Sequence, residues 1–152
     1  MRQYRSILSL LLAVVAVFMV SCSSGPSTAQ GPTYTDADIQ LLQTYKTNLI
    51  KFRDRATELD GMIQEQNWAD IKSLIHGPLG ELRFRLSSVT RSLEPSLQSQ
   101  AKDIADDTLT AIVRIDEAVT DFNPLEASTG YDRLMRDFDS FLGLIPNFDE
   151  ED

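Results

Sequence analysis

The sequence holds a single cysteine and a single histidine among 152 residues. One cysteine cannot close an internal disulfide, and one histidine cannot build a multi-histidine metal or haem site. The Cys-x-x-Cys-His haem attachment is absent, and no Glu stands three residues ahead of His76. The Glu-x-x-His pairs of di-iron bundles are therefore missing. Positive charge is scarce too: 14 Lys and Arg face 23 Asp and Glu, a formal net charge of −9. A DNA or RNA binder must present clustered cations to phosphates, so no nucleic-acid partner is expected. Alternating apolar runs flanked by hairpin turns are lacking, which excludes strands and the glycine-rich phosphate loops that follow them. A serine or threonine nucleophile would have to use His76, inside an interrupted helix with no evident third partner. The expectation is no enzyme and no cofactor.

What is present is 42% hydrophobic residues, enough for one globular core. No apolar run reaches the roughly 20 residues of a membrane span. Residues 7–20, ILSLLLAVVAVFMV, follow two arginines and suit the apolar centre of a signal peptide. They end in Met19-Val20-Ser21-Cys22, a lipobox-like site with Met19 where leucine is usual. The only cysteine sits where lipidation needs it, so cleavage before Cys22 and lipid on its thiol are expected. A plain secretory signal with an incidental cysteine is the alternative. Removing residues 1–21, two arginines among them, would leave 131 residues with a net charge of −11. Residues 22–34 then form a Ser/Gly/Pro-rich tether that cannot build a core. Each buried methylene of the lipid adds about 0.8 kcal/mol to anchoring.

From residue 35 the apolar positions recur every three or four residues, the period of a helix with one buried face. A first seam runs Leu42, Tyr45, Leu49, Phe52, Ala56, Leu59, Ile63, within one helix over 35–66 that Thr35 and Asp38 can cap. A second follows Asn67 as cap: Trp68, Ile71, Ile75, Leu79, Leu82, Leu86, Val89, Leu93. His76-Gly77-Pro78 must kink it, because proline lacks the amide proton and clashes one turn back. Glu94-Pro95 stops it, Ser96 can cap the third helix, and Leu97 to Phe122 carry the third seam. Asn123-Pro124 stops that one. A fourth helix is expected over 128–144, burying Tyr131, Leu134, Phe138 and Phe141 or Leu142. The pattern predicts an all-α, up-down-up-down antiparallel four-helix bundle over 35–146, followed by an acidic tail at 147–152.

Charge is divided unevenly along the bundle. Residues 46–91 hold eight basic and six acidic side chains, whereas 92–152 hold four and fifteen. One reading of such a split is ordinary solvated faces. The functional reading is that the first two helices dock on a partner, since complementary charge steers and orients encounter. Trp68, Arg83, Arg85 and Arg91 are the residues expected at that interface, being of the types enriched at energetic centres. His76 is expected to tie backbone groups freed by Pro78, with a partner contact or a weak surface cation site beside a carboxylate as its other readings. No metal site is otherwise expected.

Several segments go beyond what a generic bundle demands: Asn67-Trp68, the run Ile75-His76-Gly77-Pro78-Leu79-Gly80, Leu82-Arg83, and Asp137-Phe138-Asp139-Ser140-Phe141-Leu142. With the lipobox and tether, they make the chain resemble the cyanobacterial, lipid-anchored branch of the PsbQ family. That resemblance implies a non-catalytic extrinsic protein on the lumenal face of photosystem II, anchored in the thylakoid membrane. It would contact lumenal subunits and other extrinsic proteins, stabilise the oxygen-evolving complex, and help retain calcium and chloride without ligating the manganese cluster. Plant members are soluble and lack the lipid, so Cys22 sets this chain on the cyanobacterial side. A lipid-anchored periplasmic or lumenal adaptor unrelated to water oxidation is the competing expectation.

Overall fold

The computed structural model describes residues 34–147. The signal segment, Cys22, nearly all of the tether and the acidic tail lie outside the described residues. Six α-helices and one 3₁₀ turn make up the rest: α1 Asp36–Ala56, α2 Glu58–Gln64, α3 Trp68–His76, the 3₁₀ turn Pro78–Glu81, α4 Leu82–Ser92, α5 Pro95–Thr120 and α6 Pro124–Leu144. No strand occurs among the described residues. Helices α1 and α2 form one rod and α3 and α4 another, so the four-helix bundle expected from periodicity is the fold that forms.

Contacts between α1 and the α6 end of the chain run in opposite directions. Lys46 reaches the Ile145 carbonyl at 3.2 Å, while Arg53, about two turns further along α1, meets Asp139 on α6. Trp68 stands against Phe122, and His76 against Asp116, so α3 and α5 also oppose each other. Two ends are thereby defined. At one, the Glu94 amide donates to the Tyr34 hydroxyl at 2.9 Å, joining the start of the bundle to the α4–α5 turn. At the other, the α2–α3 and α5–α6 turns meet through the Trp68–Phe122 ring pair.

Most seam positions are buried as their spacing requires, including Leu42, Leu49, Ile71, Leu82, Leu86, Ile115, Leu134 and Phe138. Of the two options on α6, Phe141 is the fully buried one and Leu142 only packs at the margin. Thr108 lies in the third seam, fully buried, and its hydroxyl donates to the Ile104 carbonyl at 2.8 Å. Phe122 departs from the seam and is 67% exposed. Gly130 lets α5 and α6 approach closely: a Cβ there would fall 2.8 Å from Ile115 Cγ1.

Local chemistry shifts several boundaries. The Thr35–Asp38 capping box forms, with Asp38 N–H donating to Thr35 Oγ1 at 3.3 Å and Thr35 N–H to Asp38 Oδ2 at 3.0 Å. The Thr35 hydroxyl's bond holds the Asp38 carboxyl below its ordinary pKa. Its stabilising share is therefore present at neutral pH and is lost as pH falls through the folded pKa. The first rod does not run unbroken from 35 to 66. The Thr57 hydroxyl donates to the Asp54 carbonyl at 2.6 Å, and a side chain that competes for ladder carbonyls interrupts a helix.

Asn67 holds the N-cap position of α3, but its side chain accepts no helix amide proton; its Nδ2 donates instead to the Asp70 carboxylate at 2.6 Å. Ser96 is inside α5, not before it: Pro95 occupies the first helical position, where its missing amide proton costs nothing. The same logic starts α6 at Pro124 rather than near 128, with Asn123 accepting from the Glu126 amide at 3.2 Å. Each proline that ends one helix thus opens the next. The second rod is broken at Gly77, where φ −94° and ψ −101° leave the helical region. A Cβ on Gly77 would lie 2.7 Å from the Ser73 carbonyl oxygen, so only glycine fits this break.

Gln66 and Phe122 are left-handed, with φ of 55° and 52°. Both close Schellman-type ends: Asn67 N–H reaches the Met62 carbonyl and Asn123 N–H the Ala118 carbonyl, each at 2.8 Å. Glycine is the usual occupant, and a side chain there costs about 1–2 kcal/mol. Gln66→Gly is therefore expected to stabilise the domain by about 1 kcal/mol, a rise of roughly 4 °C in melting temperature by calorimetry. A fall would show that the Gln66 side chain makes contacts outweighing its strain.

Candidate functional site

The five residues proposed for partner binding do not share one surface. Arg83 and Arg91 share a face of α4, two turns apart, and line a groove of about 380 Å³ between α4 and α5. Leu86, Ala105 and Leu109 supply its apolar wall, and Lys102 of α5 adds a third cation. Arg91 is steadied by its own helix, donating to Ser87 Oγ at 2.6 Å. Lys102 pairs with Asp106 at 2.9 Å, a hydrogen bond that holds its ammonium above the ordinary lysine range. Asp106 is the groove's only carboxylate, so three cations and one anion surround an apolar floor.

Arg85 does not join them. It turns toward α1, with its guanidinium 6.0 Å from the Phe52 ring centre and 5.9 Å from that of Phe84, and it pairs with Glu81 at 2.7 Å. These contacts make Arg85 a clasp between α1 and α4. Trp68 lies at the far end of the bundle, edge-on to Phe122 with ring centroids 6.1 Å apart. It is half-buried, so it closes the core and presents an edge outward.

His76 behaves differently from its expected structural role. Its Nε2 lies 3.0 Å from Asp116 Oδ1 on α5, and not on backbone groups near Pro78. The reason is position: the helix ends at His76, and the ring projects across to the facing rod. The neighbouring carboxylate considered for a surface cation site is there, but no group of three His, Cys, Asp or Glu able to hold a metal occurs among the described residues. No described helix is long and apolar enough to cross a membrane.

The charge split resolves into faces rather than halves. Lys102, from the acidic half, completes the α4–α5 groove, so docking there would engage the third helix as well as the second. Three other basic residues of the acidic half, Arg114, Arg133 and Arg136, line a polar depression of about 220 Å³ between α5 and α6, with Asp107 and Asp137. Sequence reasoning missed Lys102, although its place four residues before Asp106 marks the two as a pair on one helix face. It also missed that Phe122 would be turned out of the core by the left-handed turn before Asn123-Pro124.

The family model of PsbQ, oxygen evolving enhancer protein 3, matches residues 2–146. CyanoQ of Synechocystis sp. is 40% identical over 147 residues, covering 96% of this chain and 98% of its own length.

Proposed function

The chain belongs to the PsbQ family, and from that premise we propose that it is a non-catalytic extrinsic subunit of photosystem II. It sits on the lumenal side of the thylakoid membrane, held by lipid on Cys22, stabilises the oxygen-evolving complex and helps retain calcium and chloride. The observation that carries this reading is the match to CyanoQ along nearly the whole of both chains. The described residues form a helical bundle with a cationic groove. Such a groove recognises a carboxylate-bearing protein surface, because guanidinium forks pair with carboxylates and the apolar floor adds area.

Two measurements test it. A strain lacking the protein should lose oxygen evolution more steeply than wild type when calcium or chloride is limiting, and only modestly when both are plentiful. An equal loss under both conditions would remove the ion-retention role. Cys22→Ser should leave the protein unprocessed or shed from the membrane fraction. If intact-mass spectrometry still finds diacylglycerol on that variant, the anchor is elsewhere.

A further inference from the structure

We propose that the bundle end carrying Trp68 and Phe122 is a second docking surface, which receives a basic protein segment bearing an apolar side chain. The proposal rests on the reading of the chain as a photosystem II subunit. Its starting point is a side chain turned the wrong way. Phe122 occupies the left-handed position of a helix end where glycine is usual, and the turn swings its ring out to 67% exposure. Leu125, in the first turn of α6, is 75% exposed, the most open large apolar side chain among the described residues. Trp68 backs the patch, its ring set at 78° to that of Phe122. An aromatic edge-to-face pair with one open side is the anchor geometry of an interface centre.

Charge chooses the occupant. Residues 58–71 and 115–132, the stretches that converge on this end, hold nine Asp and Glu and no Lys or Arg. Glu65, Asp70, Asp121 and Glu126 fall within one turn of the α2–α3 and α5–α6 connections. Lys72, one turn after Trp68, is the nearest cation in sequence to this patch. The acidic excess around the apolar centre repels anionic lipid headgroups and a second copy of the same end. It attracts lysines and arginines flanking an apolar knob. The α4–α5 groove has the opposite sign, so the two surfaces select different partners and fix the subunit's orientation between them.

The test uses the full chain, photosystem II complexes isolated without it, and Trp68, the sole tryptophan, as reporter. Wild type should bind, and Trp68 emission should move to shorter wavelength as the ring is covered. Phe122→Ser combined with Leu125→Ser should weaken binding at least tenfold, with circular dichroism unchanged because both side chains are exposed. Asp121→Lys with Glu126→Lys keeps the aromatic pair and should also weaken binding about tenfold. Variants that bind like wild type, with unchanged Trp68 emission, would overturn the distal surface while leaving the subunit reading intact. Failure of wild type to bind would overturn both. An equal emission shift with phosphatidylglycerol vesicles would assign the patch to lipid, and concentration-dependent self-association in sedimentation would assign it to a second copy. Either result overturns the proposal.

Discussion

Phe138→Ala is expected to cost about 3–5 kcal/mol of folding stability, the range for removing a buried aromatic ring and leaving a cavity. Phe138 is fully buried on α6. The close α5–α6 approach at Gly130 leaves the facing helices little freedom to collapse into the space. A domain of this size has about 5–15 kcal/mol in total, so the variant should unfold at a much lower urea concentration and populate unfolded chain at growth temperature. Phe84→Ala is the contrast, since that ring is 65% exposed and its loss should fall within about 1 kcal/mol. Equal losses at both positions would mean that the core is not where the buried seam puts it.

The second large effect is on binding. Arg83→Glu with Arg91→Glu turns the α4–α5 groove from cationic to anionic and should weaken attachment to photosystem II by about 2–5 kcal/mol, well over tenfold. Both guanidiniums are on the exposed side of α4, so the melting temperature should stay close to wild type. Wild-type release should grow with salt, because exposed pairs are screened within about 8 Å at physiological ionic strength. Arg133→Glu with Arg136→Glu makes the same charge change on the α5–α6 face and is the control. If the control releases the protein equally, net charge and not the groove governs attachment.

Much of this was legible in the residues. A three-and-four apolar spacing has one stable use in water, a buried helix face, and four such seams joined by short turns leave little but a bundle. The capping box at Thr35 and the break at Gly77-Pro78 followed from local rules that tertiary packing does not override. Pro95 and Pro124 read as stops alone, because the position after a helix end and the position at a helix start look alike in one sequence. Asp137-Phe138-Asp139-Ser140-Phe141-Leu142 turns out to be structural: Phe138 and Phe141 fill the core, and Asp139 grips Arg53 through two bonds of 2.9 and 3.1 Å.

The interface residues were less legible. Arg83, Arg85 and Arg91 look like one cluster in sequence, yet a two-residue step on a helix turns a side chain by about 200°, so Arg85 faces α1 while the others face α5. His76 found Asp116 forty positions away, a pairing that only the fold brings together. Phe122 has seam spacing, and its exposure arises from a left-handed turn that spacing does not reveal.

The most direct measurement weighs this chain in oxygen-evolving photosystem II purified through a tag on another subunit, by quantitative mass spectrometry against the core subunits. The chain should be found in a fixed ratio to the core, carrying lipid on Cys22, and the Arg83→Glu, Arg91→Glu variant should be missing from the purified complexes. A chain abundant in the thylakoid membrane but absent from the oxygen-evolving complexes would contradict that, and would place the protein among lipid-anchored adaptors with no part in water oxidation.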